Sequence, residues 1–307
     1  MKIVVKLLQL LSHLPMGVHY FISSCFYPLV YYVVRYRRNV VRNNIDRSFP
    51  EKSEKERRKI ERDFYRFFCD YAVETVKLIS MKEDEMRRRM VVKGMDDIGE
   101  TLKKRPFVFI YLGHYCNWEW ISSMPLWRPD EKFYCGQLYR PLKNKPMDEL
   151  FYQLRTRFDA HNISKYDALR DILTLKKEGT PATIGFISDQ SPRPNSIHDW
   201  VTFLHQETGV FTGTERIAKK VNAAIYFADV QRVKRGYYQL NLRMLTDDVK
   251  SYPDYKITEL YMQELEKIIR RQPHLWLWSH KRWKHRREDV ERMQSQQAKN
   301  EGSEHVK

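Results

Sequence analysis

Between residues 90 and 271, short apolar runs alternate with longer amphipathic ones, and this alternation leaves the chain few architectures to choose from. The apolar runs fall near 90–92, 106–112, 132–138, 182–188, 200–204, 223–231 and 237–246. They are rich in β-branched and aromatic residues and are mostly bounded by Gly, Pro, Asn or Asp, which is the pattern of strands. Helical periodicity occupies the intervals near 96–102, 118–124, 147–158, 168–177, 215–221 and 254–271. Strands and helices taken in turn imply an α/β fold, with a mostly parallel central sheet flanked by helices. At 307 residues the chain is long enough for one large α/β domain with extensions, or for two smaller ones. No repeat or Gly/Ser-rich linker divides it. The expected organisation is therefore a helical segment at 1–35, an α/β domain at 36–285 and a charged tail at 286–307, frayed or disordered.

Ahead of the alternating region, Ser53-Glu54-Lys55-Glu56 has the form of a capping box. It introduces an amphipathic helix with Ile60, Phe64, Phe67, Phe68, Tyr71 and Leu78 on its apolar face. That helix is read as a cover for the core, without a functional role.

The first 35 residues differ from the rest. No Lys, Arg, Asp or Glu occurs from Leu7 to Val34, a length sufficient to cross a bilayer, for which about 20 residues are needed. Pro15 and Gly17 interrupt the run, and Gln9, Ser12, His13, His19, Ser23 and Ser24 dilute it. A helix–break–helix element lying in one leaflet is expected instead of a span. Its aromatics (Tyr20, Phe21, Phe26, Tyr27, Tyr31 and Tyr32) suit the interface, and Arg35, Arg37, Arg38 and Arg42 would face anionic headgroups on the cytoplasmic side. No small-residue cleavage site follows, so a removable signal peptide is not expected.

Charge narrows the partners. Fifty-five basic residues against 39 acidic ones give +16, which implies a polyanion: nucleic acid, a phosphorylated substrate, an acidic carrier protein or an anionic membrane. The four cysteines, Cys25, Cys69, Cys116 and Cys135, show neither zinc spacing nor a disulfide framework, as befits a reducing compartment. Neither a His-Glu-x-x-His pattern nor a glycine-rich phosphate loop is present. No metal site is expected.

The candidate chemistry gathers at strand ends. His114 follows the apolar run 106–112 and Gly113, with Asn117 placed to cap a helix and Glu119 in its first turn. Histidine supplies a base near neutral pH, and a carboxylate can orient its ring. Asp189-Gln190 follows the run at 182–188; Asp189 could position the base, serve an acceptor or cap a turn. Arg140 follows another strand, and Arg155 and Arg157 lie on the next helix, where they suit phosphate groups. Cys116 reads as a buried thiol sooner than a nucleophile. Near the C-terminus, residues 274–284 alternate tryptophans with apolar and basic residues. Bases could stack on such tryptophans, but packing of the rings in the core with the cations toward a membrane also accounts for the uncharged N-terminus.

In this order the landmarks resemble the bacterial lipid A late acyltransferases (lauroyl/myristoyl transferases) of the lysophospholipid acyltransferase-like superfamily. They are Tyr36-Arg37-Arg38, Ser48-Phe49-Pro50, His114…Glu119, Tyr139-Arg140-Pro141, Arg155-Thr156-Arg157, Asp189-Gln190 and the run from Leu275 to Trp283. The resemblance implies a glycerolipid acyltransferase-like fold at the cytoplasmic face of the bacterial inner membrane. It implies transfer of a fatty acyl chain from acyl carrier protein, or from acyl-CoA, to a hydroxyl of a phosphorylated glycolipid, without a cofactor. His114 and Glu119 become the catalytic pair, with Glu119 holding the tautomer of His114. Asp189 and the second arginine, Arg157, become required residues; a small insertion around 147–157 leaves Arg155 as its rival. Acylation of another lyso- or amino-acid lipid, or an inactive basic protein that binds membranes or nucleic acid, are the alternatives.

Overall fold

A computed structural model describes residues 2–128 and 133–304. The N-terminal part is helical: α1 (Lys2–Ser12), α2 (Met16–Pro28) closed by a π turn at Leu29–Val33, α3 (Arg38–Ser48), α4 (Glu54–Leu78) and α5 (Glu83–Arg89). The alternating part follows as β1 (Met90–Lys93), α6 (Met95–Leu102), β2 (Phe107–Leu112), a 3-10 helix (Trp120–Trp127) and β3 (Tyr134–Tyr139). It continues with α7 (Lys145–Thr156), β4 (His161–Ser164), α8 (Ala168–Lys177), β5 (Ala182–Ile187), β6 (Trp200–Phe203) and β7 (Gln206–Gly209). It ends with α9 (Gly213–Val221), β8 (Ala224–Lys234), β9 (Tyr237–Thr246), α10 (Lys256–Arg271) and α11 (Arg287–Glu304). The tail is thus a helix, with Gln294 bonded to the carbonyls of Pro194 and Ile197. Residues 129–132, where the third strand was expected to begin, and the last three of the tail lie outside the described residues.

Seven strands form one sheet in the order β1-β9-β8-β2-β5-β3-β4, parallel throughout except between β8 and β9. β2 lies at its centre and is buried along its whole length. Complete burial of such side chains is worth roughly 1.5–3 kcal/mol each, which explains the unbroken apolar run. The expectations at 200–204 and 118–124 need correction. β6 leaves the main sheet and pairs antiparallel with β7 through a turn in which Leu204 and His205 take positive φ without any glycine to signal it. The segment after Asn117 is a 3-10 helix containing Pro125, whose Ser122 and Ser123 hydroxyls bond carbonyls three residues back. Its N-cap is Glu119, not Asn117; the Asn117 side-chain oxygen instead closes the turn leading into it, accepting from Trp120 N at 3.2 Å.

The N-terminal element breaks where Pro15 interrupts it, giving two helices, and no helix among the described residues is long and apolar enough to cross a membrane. Both pack on α4, which begins at the expected capping box. Lys77 Nζ donates to the Ser12 and Leu14 carbonyls, Ser23 donates to Asp70 at 2.7 Å, and Tyr31 donates to Glu61 at 3.1 Å. These polar contacts turn Tyr20 and Tyr31 inward and leave Ile3, Leu10, Phe21, Phe26, Tyr32 and Val33 outside. The arginines differ from expectation too: Arg38 and Arg42 pair with the buried Glu61, and Arg37 donates to the Ser279 carbonyl.

Glu74, on the same helix, is fully buried and accepts from Tyr20, Asn117 and Tyr238 at 2.7–2.9 Å. Burial pushes its carboxyl up to about 7, against the pull of those three donors. A raised folded-state value favours the native state while Glu74 is protonated. That contribution is complete below about pH 4.5 and is lost as the pH rises to about 7. Glu74→Gln keeps a carbonyl for Asn117 and Tyr238 and removes the charge. It is expected to stabilise the protein at about pH 8 by up to about 3 kcal/mol more than at about pH 4.5. Calorimetric melts at the two pH values check this; equal effects at both would remove Glu74 as the titrating group.

Candidate active site

The site follows from strand register. β2 and β5 are parallel neighbours with Leu112 opposite Ile187, so His114 and Asp189 each stand two residues past a matched pair. The carboxyl ends of adjacent parallel strands form the crevice where α/β proteins place their chemistry. His114 Nδ1 donates to Asp189 Oδ1 at 2.6 Å, and the His114 backbone N–H donates to Asp189 Oδ2 at 2.9 Å. Trp276 Nε1 donates to the same Oδ2 at 2.8 Å. Burial alone would raise the Asp189 carboxyl. The His114 charge and these hydrogen bonds outweigh it and hold the group below the usual carboxylate range. An ionised Asp189 can only accept, so Nδ1 carries a proton, and in the neutral form of the ring the lone pair is on Nε2. Gln190 Nε2 lies 3.3 Å from it and part of the ring is exposed.

Gly113 leaves room for α10. A Cβ there would stand 2.8 Å from Leu265 Cδ1, which would have to shift, and in ordinary contact with Asp189 Oδ2 at 3.4 Å. The His114 ring meets the Trp118 edge at 5.2 Å, and Trp118 in turn stacks on Tyr71 at 4.1 Å.

Glu119 has a different partner from the one expected. Its carboxylate, 4% exposed, is held bidentately by Arg155, with Nε–Oε2 at 2.8 Å and Nη2–Oε1 at 2.7 Å. The tautomer-holding contact expected of Glu119 is made by Asp189 instead. Desolvation works against the Arg155 cation, but the Glu119 bonds prevail and raise it. Of the two rival arginines, only Arg155 reaches Glu119; Arg157 donates to the Met81 carbonyl at 2.9 Å. Arg140 is exposed after β3. Cys116 is fully buried at positive φ, and burial raises its thiol far above the usual range, as expected of a structural residue. Among the described residues no cluster of His, Cys, Asp and Glu could hold a metal.

The profile of the bacterial lipid A biosynthesis acyltransferases matches residues 1–285. The chain belongs to that family. It is 25% identical over 253 residues to the lipid A biosynthesis palmitoleoyltransferase of Escherichia coli (strain K12), an alignment covering 81% of this chain and 79% of that one. The lipid A biosynthesis acyltransferase of Shigella flexneri matches with the same values. The lipid A biosynthesis lauroyltransferase of Escherichia coli (strain K12) is 24% identical over 293 residues, covering 91% and 93%. The expectation of an acyltransferase built on a mostly parallel α/β sheet is borne out.

Several family landmarks in this acyltransferase are structural braces. Asn44 donates to the Trp278 and His280 carbonyls, and Phe49 meets Trp278 edge-on at 5.7 Å, so α3 straps the C-terminal tryptophan segment in place. Trp276 and Trp278 are buried, as the packing alternative required. Arg282 is not one of the outward-facing cations expected there: it is 1% exposed. Glu74 and Arg282 escaped the sequence reading. Glu74 could have been found as a carboxylate one turn beyond Tyr71 on the apolar face of α4.

Proposed function

We propose that the protein transfers a fatty acyl chain from an acyl thioester, carried by acyl carrier protein, to a hydroxyl of a lipid A precursor at the cytoplasmic face of the inner membrane. The observation that carries this reading is the partly exposed Nε2 of a histidine whose other nitrogen is fixed by a buried carboxylate. A hydroxyl replacing the Gln190 amide at Nε2 would lose its proton there as its oxygen attacks the thioester carbonyl. Asp189 then faces the imidazolium and stabilises it. Collapse of the tetrahedral intermediate breaks the C–S bond, and the departing thiolate recovers the proton from Nε2. An ester and a free thiol are the products. Glu119 spends two of the Arg155 donors on fixing the guanidinium, and Nη1, which has no acceptor among the described residues, is the donor we assign to the intermediate's anionic oxygen.

The apolar side chains on the outer face of α1 and α2 support residence in one leaflet, where an insoluble acceptor would be met. The +16 charge suits an acidic carrier protein and a phosphorylated headgroup. Mass spectrometry of total lipids with and without the gene should reveal a lipid A species lighter by one acyl chain in its absence. An unchanged lipid A profile beside a deficit in another lipid class would move the acceptor assignment to that class.

A further inference from the structure

A cleft of about 420 Å³ opens between α2, α4 and the end of β8. Ser23, Ser24 and Tyr27 of α2 line it, and Arg66 of α4 with Arg232 and Arg235 at the β8 end bring three guanidiniums to it. Register places it at the same edge of the sheet as His114. β8 matches β2 from Ala224 to Phe227 and then runs on to Lys234, past the carboxyl end of β2. His274 also lines the cleft and stands two residues before Trp276, whose indole bonds Asp189. The cleft and the His114–Asp189 pair are therefore joined by the short segment 274–276.

Each acid of the cleft already serves two cations. Asp63 takes Lys59 at 2.7 Å and Arg66 at 2.8 Å, and the buried Asp70 takes Arg232 at 3.0 Å and Arg235 at 2.5 Å. Burial brings His274 down to about 4, so it is neutral. Glu74 follows on α4 behind Tyr20, and with its carboxyl at about 7 it is only partly ionised. Positive charge is left over. Donors are left over too: Arg66 Nη2 and Arg235 Nη1 have no acceptor among the described residues, and Arg232 Nε is buried without one. Guanidinium forks and hydroxyls around a concave excess of positive charge suit a phosphate group. The α2 wall indicates whose phosphate, since the same helix turns Phe21 and Phe26 outward, and a lipid that met those rings would bring its headgroup to the cleft.

We propose that this cleft seats the anionic phosphate of a membrane lipid beside the candidate active site. The proposal rests on the reading of α1 and α2 as lying in one leaflet. Two sources share the chemistry: a phosphate of the acceptor that is acylated, or the phosphate of a neighbouring phospholipid. Either one, held by Arg66 and Arg235, fixes the site against the headgroup layer.

Arg66→Gln and Arg235→Gln, singly and together in the full-length protein, test this. Each leaves its carboxylate one cation, Lys59 for Asp63 and Arg232 for Asp70, so no buried charge is stranded and the fold should hold. Lys176→Gln combined with Lys177→Gln, at exposed positions of α8, matches the loss of charge away from the cleft. The first arm is flotation with vesicles of phosphatidylcholine, alone or in equal parts with phosphatidylglycerol. The second is KM for a phosphorylated lipid acceptor in neutral detergent micelles. Each arginine variant should weaken the preference for anionic vesicles, or raise KM, by about fivefold, the worth of one cation at such a surface. The lysine variant should do neither. A response in the vesicle arm identifies a bilayer phospholipid as the source, and a response confined to KM identifies the acceptor. No response of the double arginine variant in either arm, an equal response of the lysine variant, or an equal loss of binding to phosphatidylcholine alone would overturn the proposal. The vesicle arm needs no turnover, and His114→Ala should keep the wild-type preference, so failure of the acyl-transfer reading shows separately.

Discussion

His114→Ala is expected to lower acyl transfer by about 10²–10⁴-fold, the range by which a positioned general base accelerates such reactions. The folded state should survive. Asp189 keeps the residue-114 backbone N–H and Trp276 Nε1 as donors, so the loss of one hydrogen bond costs about 1–3 kcal/mol. Asp189→Asn should reproduce most of the kinetic loss, because an amide can present its N–H to Nδ1 and favour the wrong tautomer. Turnover of an acyl thioester, followed together with circular dichroism, checks both variants. Near-wild-type turnover in either, with the fold intact, would remove the His114–Asp189 pair from the chemistry.

The second large effect is expected at Arg155. Removing one partner of a buried ion pair strands the other, at a cost of about 3–5 kcal/mol. Glu119 is almost fully enclosed, while Arg155 keeps some solvent contact, so the lower end applies. Arg155→Met should therefore lose both melting temperature and activity. Adding Glu119→Gln removes the stranded charge, and the double variant should regain most of its melting temperature while staying inactive. If activity returns along with stability, the pair is a brace and plays no part in transfer.

The contrast between these two pairs shows what a sequence can display. His114 and Asp189 were each visible as polar residues at the end of a buried strand, but nothing local joins them, since they stand 75 positions apart. Glu119 lies five positions from His114 and looked like its partner; the register of β2 against β5 decides otherwise. Proximity along a chain is poor evidence of contact once a loop leaves regular structure, and the segment from His114 to Glu119 is such a loop. β2, β5 and the first seven residues of β8 were legible as apolar runs enforced by burial, and β1, β6 and β9 by their β-branched and aromatic content although they are partly exposed. β4 and β7 are short and partly exposed, so no comparable pattern marks them. Arg282 was hidden for a third reason. In a chain with 55 basic residues, a buried arginine has the same letters around it as a surface one.

The position of β2 also has a consequence during synthesis. Its neighbours are β5 and β8, and no strand made before it lies beside it. A ribosome adds about 5–20 residues per second, so the most apolar strand of the sheet waits roughly 4–15 seconds for the residues that will cover its edge. Non-local parallel pairing of this kind is slow to nucleate and leaves sticky intermediates. The zipping of β5 against β2 ends that exposure, and the same event brings Asp189 to His114. A nascent chain halted before residue 189 therefore has neither a closed sheet nor the His114–Asp189 pair, and the completion of the core and the assembly of the candidate site are one step.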